Sequence, residues 1–283
     1  MHNERTVNME YQDIIYEQIG PVLRLWHNRP EARNAEGRRL LEELDHAVQR
    51  ASADPGVHVV IFAAKGDHFS AGHDMKESIR DRPNPTVEQR YEYELEHFYE
   101  YGLRIYDMPK PTIAQVQGAC IAAGFMVSNM CDLMVASDDA FFSDPTGHTL
   151  GAAAVEMLIH PYVLGMRKAK EMLFTGRKIT AQEGYEIGMI NKVVPRAELE
   201  AETLALAQHI ASAPPFGLSL IKRSLNRTRD AQGFRTALSA HFDAHQLSHV
   251  SAEYQRVWQE RQAIAAKGGK TSFGRPVGGE SKV

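Results

Sequence analysis

The chain is poor in the features that mark several protein classes. Its 283 residues hold two cysteines, Cys120 and Cys131, too few for a disulfide framework and expected as buried thiols of a reducing compartment. There is no basic excess. Thirty-two Lys and Arg against 36 Asp and Glu give a formal net charge of −4, so the overall field offers nucleic acid no general attraction. No uninterrupted apolar run of about eighteen residues occurs, which argues against a spanning helix. The opening Met1, His2, Asn3, Glu4 and Arg5 lack the apolar run of a secretory signal. These absences point to a cytoplasmic globular chain with neither nucleic acid nor membrane as partner. What is present is ordinary: 43% hydrophobic and 24% charged residues, and length enough for one large domain or a core with an appendage. The 13 histidines are the oddest count.

Periodicity predicts an α/β chain with alternating strands and helices. Residues 13–19 and 22–27 read as a hairpin around Gly20 and Pro21. Asn34 is expected to open a helix carrying Leu40, Leu41, Leu44 and Val48 at helical spacing, ending at Asp54, Pro55 and Gly56. Residues 57–63 form an apolar run suited to a strand buried on both faces. Further on, Tyr91, Leu95, Phe98, Gly102 and Ile105 mark one helix face. Residues 112–116 and 133–136 read as strands, and 123–130 as a helix. Thr180 and Glu183 form a capping box. Helices dominate from Met157, and residues 267–283, rich in Gly, Lys and Ser, read as a flexible tail or an intersubunit arm. The expected division is a core over 1–200 and a C-terminal helical region over 201–283.

Two segments carry chemistry. The first, Phe69-Ser70-Ala71-Gly72-His73-Asp74-Met75-Lys76, follows the buried strand, where open α/β folds place ligands. The second, residues 110–124, runs from a strand through Gly118, Ala119, Ala122 and Ala123 to Gly124 at a helix start. Small residues there allow close approach to free first-turn amides. Two such amide sources facing one point make an oxyanion hole.

Together these segments resemble the two oxyanion segments of the crotonase family, the enoyl-CoA hydratase/isomerase superfamily, in order and spacing. The resemblance continues through Cys131-Asp132-Leu133, Phe141-Phe142-Ser143, Leu164-Gly165-Met166-Arg167-Lys168-Ala169 and Phe174-Thr175-Gly176-Arg177-Lys178-Ile179 to Gly188-Met189-Ile190-Asn191-Lys192-Val193-Val194-Pro195. It covers roughly residues 13–230, and Asn28-Arg29-Pro30-Glu31-Ala32-Arg33-Asn34-Ala35 looks like the family's CoA-contacting loop. It implies a ββα spiral followed by helices that build trimers or dimers of trimers. It also implies an acyl-CoA substrate, with coenzyme A as part of that substrate and no separate cofactor. The thioester oxygen would be gripped by the backbone amides of His73 and Ala123, next to Ala71, with the helix face from Tyr91 to Ile105 lining the acyl pocket.

The chain departs from the hydratase pattern at both expected glutamates: Met126 and Thr146 stand where the resemblance would place them. Replacement acid–base candidates lie close by in Asp144, His148, Glu156 and His160. Glu156 leads, since a lone carboxylate among Ala152, Ala153, Ala154, Val155 and Met157 is expected to be desolvated and raised in pKa. Substrate contacts are expected from Arg33, Ala71, His73, Lys76, Met126, Thr146 and His148, with Arg33 and Lys76 toward CoA phosphates. His241, His245 and His249 repeat every four residues. That is the spacing of paired metal ligands, but a solvated or subunit-facing surface is the expected reading, with no metal.

The resemblance thus implies an enzyme acting on an acyl-CoA thioester through an oxyanion-stabilised enolate, without the standard glutamate pair. An isomerase, hydrolase or lyase using Glu156 or Asp144 fits the residues better than a simple hydratase. The rivals are a catalytically silent acyl-CoA-binding homologue and an enzyme for a bulky or cyclic CoA ester.

Overall fold

In the computed structural model, which describes residues 10–268, the expected hairpin forms from β1 (Ile14–Ile19) and β2 (Val22–His27). The expectations for residues 1–5 and for the tail beyond Gly268 lie outside the described residues. Gly20 turns the hairpin at φ 58°, a left-handed conformation that glycine adopts without a steric penalty. The antiparallel pair is extended on one side by parallel strands. β3 (Val59–Ala64), β4 (Thr112–Val116), β6 (Leu133–Ser137) and β9 (Lys192–Val194) follow, giving the order β1-β2-β3-β4-β6-β9. A second sheet of β5 (Ala119–Ile121), β7 (Phe141–Ser143) and β8 (Ile179–Thr180) stands beside it. Each turn of chain therefore gives one strand to the large sheet and the next to the small one, as in β4–β5 and β6–β7. This is the ββα spiral.

Helix Arg38–Ala53 lays Leu40, Leu41, Leu44, Ala47, Val48 and Ala51 onto one core. Each such large aliphatic residue gains about 1.5–3 kcal/mol by leaving water. The helix starts at Arg38 rather than at Asn34. Asn34 is left-handed at φ 52°, and its side chain accepts from the Arg29 amide (2.8 Å) and donates to the Lys65 and His68 carbonyls (2.9 and 2.8 Å). An Asn that satisfies three backbone groups in loops is better used there than in a helix.

The other face of the sheet buries Val22, Val59, Ile61, Ile113 and Val135 beneath helix Leu199–Ala211. Helices Pro215–Ala231, Phe234–Ser248 and Ala252–Ala266 complete the described chain. The third of these packs Tyr254 and Trp258 against Met75, Leu150 and Ala152, so the C-terminal region closes over the segments singled out for chemistry. Among the described residues no single helix is long and apolar enough to cross a membrane. Cys120 is buried and Cys131 half-buried, both as free thiols.

Candidate active site

The two small-residue segments meet. Beyond β3 the chain pairs with β5: the Ser70 amide donates to Ala119 O (3.1 Å) and the Ile121 amide to Ser70 O (3.0 Å). On its other side, the Glu36 amide donates to Gly72 O (2.8 Å) and the Asp74 amide to Glu36 O (3.1 Å). Gly72, at φ 83°, lies so close to the second segment that an added Cβ would stand 2.9 Å from Ile121 O and 3.5 Å from the Ala123 nitrogen. Helix Ala123–Met130 begins there, after Ala122 in an uncommon φ of 52°. Among the described residues neither the His73 nor the Ala123 amide donates to a backbone carbonyl. Two free amides are thus held on adjoining segments by main-chain geometry alone.

A cleft of about 570 Å³ opens beside them. His73, Phe98, Glu156 and Thr146 line it, with Glu94, His245, His249, Tyr254 and Trp258 around them. His73 contributes more than its backbone. Its Nε2 lies 2.7 Å from Glu156 Oε1, and its ring lies against Phe98 with centroids 4.3 Å apart. Burial alone would lower the His73 imidazole, but the charge and hydrogen bond of Glu156, with Glu36 and Glu94 beyond, raise it to about 9. At neutral pH His73 is therefore an imidazolium. Glu156, 1% exposed, is not the lone carboxylate expected from its alanine neighbours.

Behind this pair the buried charges alternate in sign. Glu36 accepts from the Ser70 hydroxyl (3.0 Å). Burial pushes its carboxyl up to about 7, against the pull of His73 and Ser70. On the other side, His245 Nε2 stands 3.9 Å from Glu156 Oε1 and 3.2 Å from Glu94 Oε2. Burial works against the His245 cation, but the Glu94 hydrogen bond and the Glu156 charge raise its pKa. For Glu94 burial is outweighed by His249, His245 and Arg90, which hold its carboxyl below the usual range.

Glu156 sits on loop 151–159, which has little regular structure and carries Ala154 at φ 64°. Four side chains clamp it. Ser248 Oγ accepts from the Ala153 amide (3.0 Å), His245 Nδ1 meets Ala154 O (2.9 Å), His241 Nε2 meets Val155 O (2.8 Å), and Asp144 Oδ2 accepts from the Val155 amide (3.2 Å). His241 and His245 of the repeat are thereby explained, and the expectation of a surface stripe is corrected. His245 and His249 are 3% and 5% exposed, and burial holds the half-buried His241 down to about 4. Helical spacing gives the common face but not what covers it.

The predicted site residues divide. His73, Glu156 and Thr146 come together at the cleft. Ala123 adjoins Gly72 but is fully buried and does not line the cleft. Asp144 is also fully buried and absent from the cleft wall. Its Oδ1 accepts from the Thr146 amide (3.0 Å) and hydroxyl, and His160 Nε2 lies 3.2 Å from Oδ2. Burial opposes the Asp144 charge, but His160 and Thr146 hold it at about 2. His160 stacks on Phe125 at 4.7 Å.

The remaining predicted contacts are not brought to the cleft. Met126 lies in the core at 0% exposure. Arg33 and Lys76 are exposed and Ala71 is half-buried; Arg33 O accepts from the Ala71 amide (3.0 Å). His148 is exposed and bonds Phe174 O at 2.6 Å.

The helix face expected to line the acyl pocket is also re-cut. A π-helical stretch, Leu95–Glu100, joins Val87–Glu94 to Tyr101–Asp107, and such an extra residue shifts the facing register. Tyr93, Glu94 and Phe98 face the cleft, whereas Tyr101 and Ile105 enter the core. Sequence reasoning missed Glu36, Glu94 and the His245 side chain. The four-residue histidine repeat was the one available signal.

Comparisons with known proteins agree with this architecture. A family model described as enoyl-CoA hydratase/isomerase matches residues 19–263. A Mycobacterium tuberculosis protein named as the enoyl-CoA hydratase EchA13 is 41% identical over 94% of this chain and 86% of its own length. A Thermus thermophilus protein also named as an enoyl-CoA hydratase is 32% identical over 75% of this chain and 83% of its own length. Among solved structures, an enoyl-CoA hydratase/isomerase from Xanthobacter autotrophicus Py2 superposes with a TM-score of 0.85 at 33% identity, covering 92% of this chain and 95% of that one. A Mycobacterium smegmatis structure described as an enoyl-CoA hydratase gives 0.80 at 44% identity, over 92% of this chain and 98% of that one.

Proposed function

The chain belongs to the enoyl-CoA hydratase/isomerase family, and from that premise we propose that it moves a proton within an enoyl-CoA thioester, with Glu156 as the proton-transferring group. The observation that carries this reading is the pair of buried Glu156 and half-buried His73 at 2.7 Å on the cleft wall, next to Gly72, whose backbone adjoins Ala123.

The thioester oxygen is taken to enter beside Gly72, between His73 on the cleft wall and the Ala123 amide buried behind it. The Glu156 carboxylate removes a proton from the carbon next to the thioester carbonyl. The electrons of that C–H bond flow into the carbonyl, and the negative charge on its oxygen is held by the two amides. Preorganised donors of this kind are worth about 10²–10³ in rate each. In a 3-enoyl substrate the charge is delocalised through the double bond, and the protonated Glu156 returns the proton two carbons further along. Double bond and proton exchange places, with no net gain or loss of atoms. The His73 ring supports this by holding the Glu156 carboxylate through its Nε2 at 2.7 Å. Water addition is disfavoured because Met126 is apolar and core-buried, while the Thr146 hydroxyl is engaged by Asp144. Asp144 is then a positioning residue for loop 151–159.

The experiment is turnover of 3-enoyl- and 2-enoyl-CoA esters in deuterated buffer by wild type and Glu156→Gln. Isomerisation reduced in the variant by about 10²–10⁴, the span of general acid–base catalysis, is expected. Isomerisation surviving at the wild-type rate in Glu156→Gln would overturn the assignment. Saturable CoA-ester binding without turnover of any ester would instead mark an acyl-CoA-binding homologue.

We infer that the molecule works as a homotrimer or a dimer of trimers. Helix Pro215–Ala231 exposes Phe216, Leu220, Ile221 and Leu225 opposite the face where Lys222 pairs with Asp132 (2.8 Å). An apolar band of this kind is suited to another copy. The two free thiols suit a reducing, cytoplasmic setting.

A further inference from the structure

Glu94, His245 and His249 form a second chemical cluster in the cleft wall that proton transfer at Glu156 does not require. Each offers a donor atom within 4.8 Å of the other two, and all three residues are buried. The polar atoms there are incompletely used. His249 Nδ1 and His245 Nε2 are buried without a hydrogen-bond partner of good geometry. His245 meets the Ala154 carbonyl through Nδ1 at 2.9 Å. That contact fixes a proton on Nδ1, so a metal that displaces the Nε2 proton facing Glu94 would meet an imidazole already held by its outer-sphere partner. Gln246 Nε2 donates to Glu94 Oε2 at 2.6 Å, orienting the carboxylate from behind in the same manner. Opposing a metal there are Arg90, 3.5 Å from the other oxygen, Oε1, and the His73 charge beyond Glu156.

We propose that Glu94, His245 and His249 bind one divalent transition-metal ion of the zinc class. Two imidazoles and one carboxylate are a borderline donor set that suits zinc, cobalt or nickel rather than calcium or magnesium. Glu94 supplies one negative charge to the site, and Glu156 Oε1, 3.9 Å from His245 Nε2, is already paired with His73. Because all three ligands line the cleft, the remaining coordination positions face solvent or a bound molecule. The site is thus open rather than closed as in structural zinc centres. This inference stands apart from the acyl-CoA reading, since it rests on ligand geometry alone.

The test is direct metal uptake by the full-length protein after chelator treatment. Zinc is followed by calorimetry, and cobalt(II) by its visible ligand-field absorption, which reports nitrogen and oxygen donors independently of activity. Binding of one ion per chain is expected. Affinity should fall on the order of 100-fold in His249→Ala and in Glu94→Gln, since loss of a ligand exceeds the effect of losing an outer-sphere partner. It should be unchanged in His148→Ala, an exposed histidine away from the cleft. His249→Gln, checked for native circular dichroism, guards against a folding failure in the alanine variant. Absence of saturable uptake by wild type, or equal uptake by the folded His249 and Glu94 variants, would overturn the site.

Discussion

At the residue scale, His73 shows how one side chain can serve structure and chemistry together. Its amide belongs to the turn beside Ala123, while its ring holds Glu156 at 2.7 Å. The raised His73 pKa makes a prediction about stability with a definite sign. The folded value, about 9, exceeds the ordinary 6.5. The folded state therefore binds the proton more tightly, and this contribution is complete below pH 6.5 and lost as pH rises through 9. Glu36, raised to about 7, adds a loss of the same sign between its ordinary value and pH 7. Urea midpoints measured from pH 6 to pH 10 should accordingly fall by an amount corresponding to about 1–3 kcal/mol. The titratable groups facing His73 are Glu156, Glu36 and Glu94, with His245 and His249 beyond them. In His73→Gln the decline above pH 7 should flatten; an unchanged slope would remove His73 as its source.

At the level of elements, the site depends on how closely two turns of chain approach. Gly72 accepts a left-handed φ and also leaves room for Ile121 O at 2.9 Å from where a Cβ would lie. Gly72→Ala meets both penalties, strain on the order of 1–3 kcal/mol and a collision with backbone. Its thermal midpoint should drop, and residual activity should fall further than the lost stability explains, because the His73 and Ala123 amides move apart. Retained full activity at a temperature where the variant is folded would show that their spacing is not critical. Elements also explain two misreadings. The helix expected from Asn34 begins four residues later because the Asn side chain is worth more as a loop staple. The π-helical stretch Leu95–Glu100 is invisible to a 3.6-residue period, which is why the face from Tyr91 to Ile105 was cut at the wrong place.

At the scale of the whole molecule, the C-terminal helices do two things. Inward, helix Phe234–Ser248 braces loop 151–159 through His241, His245 and Ser248. Outward, helix Pro215–Ala231 presents Phe216, 74% exposed, with Leu220, Ile221 and Leu225. If that band joins copies of the chain, Leu225→Glu together with Phe216→Glu should lower the sedimentation coefficient from trimer or hexamer to monomer while circular dichroism stays native. A wild-type protein that sediments as a monomer at micromolar concentration would exclude the reading.

What the amino-acid order determined by itself was local or main-chain in nature. The hairpin at Gly20, strand Thr112–Val116, helix Ala123–Met130 and the Thr180 capping box follow from short-range periodicity and cap chemistry. The two adjoining small-residue segments were legible because small residues at a strand-to-helix turn constrain the backbone whatever surrounds it. Glu156 could be picked out as a carboxylate in an apolar stretch. Tertiary structure alone decided who its partners are. His73 and His245 reach it across separations of 83 and 89 residues, with Glu94 beyond His245, and the resulting alternation of charges depends on burial that no local window encodes. Side-chain electrostatics act through space, so the same histidine repeat that reads as a surface stripe along the chain becomes, once covered, the inner wall of the cleft.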